Sequence, residues 1–170
     1  MSATSQAFRA ERIDAAIAKD PGRMTMQLAR ELDVPEVEVV RRLPAAVELD
    51  AARWEEIIRA FEALGTVHVI VSNGGATLEA VGEFGNFSTW NEFFNVQTDT
   101  LDMHIRWPEL AAVFALEKPS HMNGVATLSF QFFDRAGHVA FKVFLNFGGK
   151  AAPESAAEFA RLRQRFRKTS

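Results

Sequence analysis

Apolar residues recur every third or fourth position from Ala7 to Leu64 and every second position from Thr66 to Phe147, so helices are expected first and strands after. Residues 7–19 predict a helix with Phe8, Ile13 and Ile17 available for burial, stopped by Asp20-Pro21-Gly22. Thr25 is the expected cap of a short helix carrying Met26, Leu28, Ala29 and Leu32, which Asp33-Val34-Pro35 breaks. Pro35 then opens a helix to Leu43, and Pro44 ends it. Asp50 is the expected N-cap of a longer helix that turns Trp54, Ile57, Ile58, Phe61 and Leu64 inward, closed by Gly65 in the left-handed region.

After Thr66, Val67, Val69 and Val71 alternate with His68, Ile70 and Ser72, and Asn73-Gly74-Gly75 predicts a tight hairpin into a strand over 76–84. Further strands are expected at 93–97 and 101–107, with a short buried one at 111–116. Residues 125–133 and 138–147 predict a second hairpin across Asp134-Arg135-Ala136-Gly137, where Gly137 supplies a positive φ. Residues 153–168 predict a terminal helix with Phe159, Leu162 and Phe166 inward and a basic outer face. Strand following strand without intervening helices implies antiparallel pairing and an α+β class. The reading is one domain over 1–170: a helical segment 1–64, an antiparallel core 65–150 and a C-terminal helix 151–170.

Composition narrows the chemistry. At 170 residues and 48% hydrophobic, the chain has material for its own core. It carries 15 Phe but no Tyr and no Cys, which excludes disulfides, thiolate ligands, iron–sulfur clusters, a cysteine nucleophile and a phenolate ligand. A net charge of -3 argues against a general nucleic-acid binder. No apolar run reaches transmembrane length and Met1 to Gln6 lacks a signal-peptide core, so a soluble cytoplasmic protein without a membrane partner is expected.

The strand at 101–107 carries the most telling pattern. Leu101, Met103, Ile105 and Trp107 share one face, and Asp102, His104 and Arg106 share the other. An imidazole beside a guanidinium suits a metal centre that bears carboxylates: His104 as axial ligand to haem iron, Arg106 on a propionate. The bland alternatives are a solvated His104 and an Arg106 paired with Asp102. On the last strand, His138, Ala140, Lys142 and Phe144 share a face, and Lys142 is a second propionate candidate or a plain surface lysine. His68 sits on the first strand and His121 in a loop; the four histidines lack the close spacing of a zinc site. Met24 to Leu43 has the L-A-x-E-L-x-V pattern of a helix-turn-helix, but Glu36 and Glu38 open the presumed recognition helix where phosphate would lie, which argues against DNA.

Taken in order, Val39-Val40-Arg41-Arg42-Leu43-Pro44, Trp54, Gly65-Thr66-Val67, Leu78-Glu79, Gly82-Glu83, Phe94-Asn95-Val96, His104-Ile105-Arg106, Phe132-Phe133-Asp134-Arg135-Ala136-Gly137 and Phe141-Lys142-Val143-Phe144-Leu145 form a likeness. The chain resembles the bacterial haem-utilisation carriers of the HutX/ChuX type over nearly its whole length. The resemblance implies a saddle-like, split pair of antiparallel sheets with helices packed around them, a homodimer, and similarity to half of the larger two-repeat haem-trafficking proteins. It implies intracellular binding of haem b and hand-over to an acceptor protein. His104 falls on a family haem histidine, whereas Ser72 and Asp102 stand where the family has two others. The resemblance therefore implies one protein ligand to iron, or a second from His68 or His121. Its rivals are a haem-degrading enzyme on the same fold and a relative that kept the fold without the haem.

Overall fold

The change of period at Thr66 is the border between two parts of the structure, a computed structural model that describes residues 3–169. The helical part contains α1 (Ala3–Lys19), α2 (Thr25–Leu32) and α3 (Glu36–Arg41), then β1 (Ala46–Leu49) and α4 (Trp54–Ala60). Strands β2 (Thr66–Ser72), β3 (Thr77–Glu83), β4 (Phe87–Trp90), β5 (Phe93–Gln97), β6 (Asp102–Arg106), β7 (Leu110–Pro119), β8 (Ala126–Asp134) and β9 (Val139–Phe144) follow, and α5 (Pro153–Arg165) ends the fold. A six-stranded sheet runs β1-β7-β8-β9-β2-β3 and a three-stranded sheet runs β4-β5-β6, with every pairing antiparallel. This is the split α+β arrangement expected.

Several boundaries differ for local reasons. Thr25 lies inside α2 rather than capping it; Met24 is the cap residue, and the Thr25 hydroxyl donates to Glu36 instead. Asp50 caps as expected, accepting from the Ala52 amide at 3.1 Å, but a 3-10 turn over Ala51–Arg53 precedes α4. Phe8 is 62% exposed, while Ile13 and Ile17 are buried. Two strands, β1 and β4, were not foreseen, and β7 extends well beyond 111–116 with a bulge between Leu110 and Ala112.

Alternation on β7 and β8 divides the core. Val113, Ala115, Phe130 and Phe132 face α4, α5 and the small sheet, where Phe94, Val96 and Ile105 join them. Phenylalanines dominate this layer, with Phe61 4.8 Å from Phe130 and Phe132 stacked 4.3 Å from Phe141. Ala112, Phe114, Leu116 and Phe133 point the other way, onto Ile13, Ile17, Leu28, Ala29, Val39, Val40 and Leu43 of α1–α3. Each such fully buried Leu, Ile, Val or Phe side chain contributes roughly 1.5–3 kcal/mol.

This second layer explains the helix-turn-helix pattern: its apolar residues pack α2 and α3 on the large sheet. One glycine fixes how closely. Gly137 has φ +82°, and a Cβ there would lie 2.7 Å from Val37 and 2.8 Å from Pro35. The Val37 amide donates to the Gly137 carbonyl at 3.1 Å, so the β8–β9 turn clasps the start of α3.

Candidate functional site

Helices α1–α3 pack mainly on β7 and on Phe133 and Val139 at the turn between β8 and β9. Over β9, β2 and β3 they leave a cleft of about 970 Å³, with α2 and the start of α3 as one wall and the loop residues Ser120–Met122 and Phe147–Gly148 among its lining. The floor follows from strand register. Gln131, Lys142, Ile70 and Glu79 form one cross-strand row, and Ser129, Phe144, His68 and Val81 the next, of which Ser129 and Phe144 line the cleft. Met24, Met26, Ile70, Phe144, Phe147 and Met122 give the cleft its apolar lining.

Its polar groups are exposed at the rim, with Arg30, Asp33, Glu79, His121 and His138, and buried or half-buried at the base, with Thr25, Glu36, Lys118, Ser129, Gln131 and Lys142. Lys142 donates to Glu36 at 2.7 Å, and the Thr25 hydroxyl donates to the same carboxylate oxygen at 2.5 Å. The Glu36 side chain is only 8% exposed and that of Lys142 17%. Lys118 donates to the carbonyls of Gly22 at 2.6 Å and Pro119 at 3.0 Å. Burial pushes its ammonium down to about 8; Lys142 acts in the same direction and Asp20 opposes. Gln131 donates through Nε2 to Ser129 Oγ at 3.1 Å, while its buried Oε1 has no partner.

The sequence-expected residues are not gathered at one place. Lys142 lines the cleft. His104 and Arg106 lie on the outer face of the small sheet, because β6 turns Met103 and Ile105 inward. His104 does not line the cleft, and its side chain is 56% exposed. Its ring is nonetheless oriented. Asn95, directly across the β5–β6 pair, accepts from His104 Nδ1 at 2.7 Å, and Asn95 Nδ2 donates to Ser88 Oγ at 3.0 Å. In that tautomer Nε2 is the bare nitrogen, 3.6 Å from Asp102 Oδ1. Arg106 is engaged by acids: it donates through Nε and Nη2 to Glu92 and through Nη1 to Glu109, and the hydrogen bond to Glu92 holds its guanidinium above the usual value.

His121 lines the cleft from the β7–β8 loop, and His138 lines it near Asp134. His68 does not line it; its ring lies 4.6 Å from that of Phe147 with Nδ1 buried and unpartnered. Ser72 lines the cleft with its hydroxyl directed at the Ala76 carbonyl, 3.2 Å, and 3.9 Å from the Met26 sulfur. Lys118 and Gln131 were not singled out from sequence, and Glu36 only as an acid that argues against DNA. The polar set Thr127, Ser129, Gln131 alternating with Leu128, Phe130 and Phe132 was the one available signal of a strand with a polar inner face.

Residues 47–162, well over half of the chain, match the family described as haem utilisation ChuX/HutX. The chain belongs to this family. Among solved structures, a protein from Agrobacterium tumefaciens has a TM-score of 0.85 at 27% identity, covering 98% of each chain. The crystal structure of ChuX itself superposes with a TM-score of 0.81 at 20% identity, covering 90% of this chain and 96% of that one. The haem-degrading enzyme ChuS of Escherichia coli O157:H7 matches with a TM-score of 0.78 at 23% identity, covering 95% of this chain but 47% of ChuS. This ChuX/HutX chain thus has the length of about half of ChuS. No curated protein matches it. Among the described residues, no helix is long and apolar enough to cross a membrane.

Proposed function

We propose that this chain binds haem b in the cytoplasm and hands it to an acceptor protein, with the cleft over β9 and β2 as the seat. The observation that carries the reading is the cleft's donor set. A cavity at the upper end of the small-molecule range has apolar and thioether walls, the imidazoles of His121 and His138 at its edge and two ammoniums in its lining. Those residues suit a flat apolar macrocycle bearing two acids. Of the two imidazoles His138 lies beside Asp134, and His121 is the proposed iron ligand; bound iron supplies the Lewis acid that an imidazole nitrogen meets. Met24 and Met26 pack against the macrocycle, and an ammonium of the lining meets its acid side.

His104 is the second reading, favoured by the Asn95 bond that bares Nε2, the arrangement by which metal-bound histidines are oriented. Arg106 would then meet a propionate only by leaving Glu92 and Glu109. A haemin titration of His121→Ala and His104→Ala separates the readings. The first variant is expected to weaken binding by roughly tenfold or more, about 1.4 kcal/mol or above. The second is expected to match wild type. The opposite pattern moves the ligand to the small sheet.

Carriage rather than breakdown is proposed, and reduction of the haem complex in air is its check: intact haem is expected, and conversion to an open tetrapyrrole makes the protein a haem-degrading enzyme. A homodimer belongs to the same proposal. Strand β3 ends the large sheet with Leu78 63% and Val81 53% exposed, an edge suited to a second copy. Light scattering is expected to give the mass of two chains, and a single-chain mass contradicts it.

A further inference from the structure

The two lysines of the cleft differ in what neutralises them. Lys142 is committed to Glu36, and Thr25 holds the same carboxylate. Lys118 meets backbone carbonyls only, those of Gly22 and Pro119. Carbonyls fix an ammonium in place but leave its charge whole, and two bonds leave one N–H free. Beyond Lys118, the floor holds Gln131 with a buried oxygen that has no partner. Turned over, that amide would accept from the Ser129 hydroxyl and offer its NH2 to the cleft instead.

We infer that Lys118, not Lys142, receives the acid group of the ligand, so that the cleft is built for an amphipathic carboxylate. The assignment rests on the haem reading and deepens it: the carboxylates are the propionates. Using Lys142 would break a buried ion pair and leave the Glu36 carboxylate facing the incoming one. A carboxylate on Lys118 needs no pair broken. It also favours the charged form of an ammonium that its surroundings now disfavour.

The test compares haemin with haemin dimethyl ester, which lacks the acids, on wild type, Lys118→Met and Lys118→Arg. Lys118→Met is expected to weaken haemin by about ten- to hundredfold, the range for a hydrogen bond between charged groups, and to leave the ester unchanged. Lys118→Arg is expected to keep the preference for haemin. Lys118→Met binding haemin like wild type overturns this assignment alone; wild type binding neither compound overturns the haem reading with it.

Should Lys118→Met not fold, wild type carries the test through pH. Asp20 and Lys142 are the charges that act on Lys118, and Glu36, His121, Arg30, Asp33, Glu79, Asp134 and His138 also line the cleft. The preference for haemin over its ester is expected to shrink as pH rises through about 8 in wild type and to persist in Lys118→Arg. A preference equally steady in both overturns the assignment.

Discussion

The cleft and the outer face of the small sheet carry similar side chains in opposite circumstances. On the small sheet, His104 is aimed by Asn95 and Arg106 is saturated by Glu92 and Glu109, yet both stand in solvent. In the cleft, walls exist, Lys142 is paired with a buried glutamate, and Lys118 hydrogen-bonds to carbonyls alone with one N–H free. The difference teaches that a cation is available to a ligand only where its neighbours leave charge unmet. An ion pair in water contributes little, whereas the same pair under the roof of α2 and α3 matters greatly.

The largest expected effect tests that contrast directly. Glu36→Ala strands Lys142 as a buried, unpaired charge and is expected to cost about 3–5 kcal/mol in denaturant unfolding. Arg106→Ala is expected to leave the unfolding midpoint at the wild-type value. Replacing Glu36 and Lys142 together by Leu and Met is expected to recover most of the loss, since no charge is then left alone. Equal effects of Glu36→Ala and Arg106→Ala would erase the distinction between the two regions.

A smaller effect concerns the roof. Gly137→Ala puts a methyl at φ +82° against Pro35 and Val37, and is expected to destabilise by roughly 1–3 kcal/mol. Amide hydrogen exchange is expected to quicken in α3 while the small sheet keeps its protection. Exchange that rises evenly across both regions would show that the turn does not hold the helix specifically.

The smallest effect is a pH dependence. Folding lowers the Lys118 ammonium from 10.5 to about 8. Between those values the unfolded chain binds the proton that the folded chain has released, so this group makes stability rise with pH across that window. Below about 8 both states are protonated and the penalty for burying the charge is at its full value. Denaturant unfolding of wild type against Lys118→Met is expected to show the rise in wild type only.

Much of the fold was legible because its signals are local. Asn73-Gly74-Gly75 and Asp134 to Gly137 announce their hairpins, and the alternation of β2 and β6 assigns Val67, Val69, Met103 and Ile105 to the core. Strand β1 escaped because its four residues, between Pro44 and Asp50, look like a link between helices. Strand β4 escaped because it is equally short and its pairing with β5 is not written in its own residues. The site was less legible for the same reason. That His104 faces away from Ile105 is a two-residue fact; which sheet it joins, and that no helix covers that face, are not. Lys142 and Glu36 lie 106 positions apart, and Lys118 and Gly22 lie 96 apart. Nothing near either lysine tells which one is already neutralised.

The central claim is that the cleft, not the outer face of the small sheet, seats the haem. Ferric iron broadens the amide signals of nearby residues, so a two-dimensional amide spectrum taken before and after haemin locates the site. Broadening of Ile70, Ser72, Gln131 and Lys142 with Ser88, Asn95 and His104 left sharp is the expected result; broadening of Ser88, Asn95 and His104 with the cleft residues unaffected would contradict it.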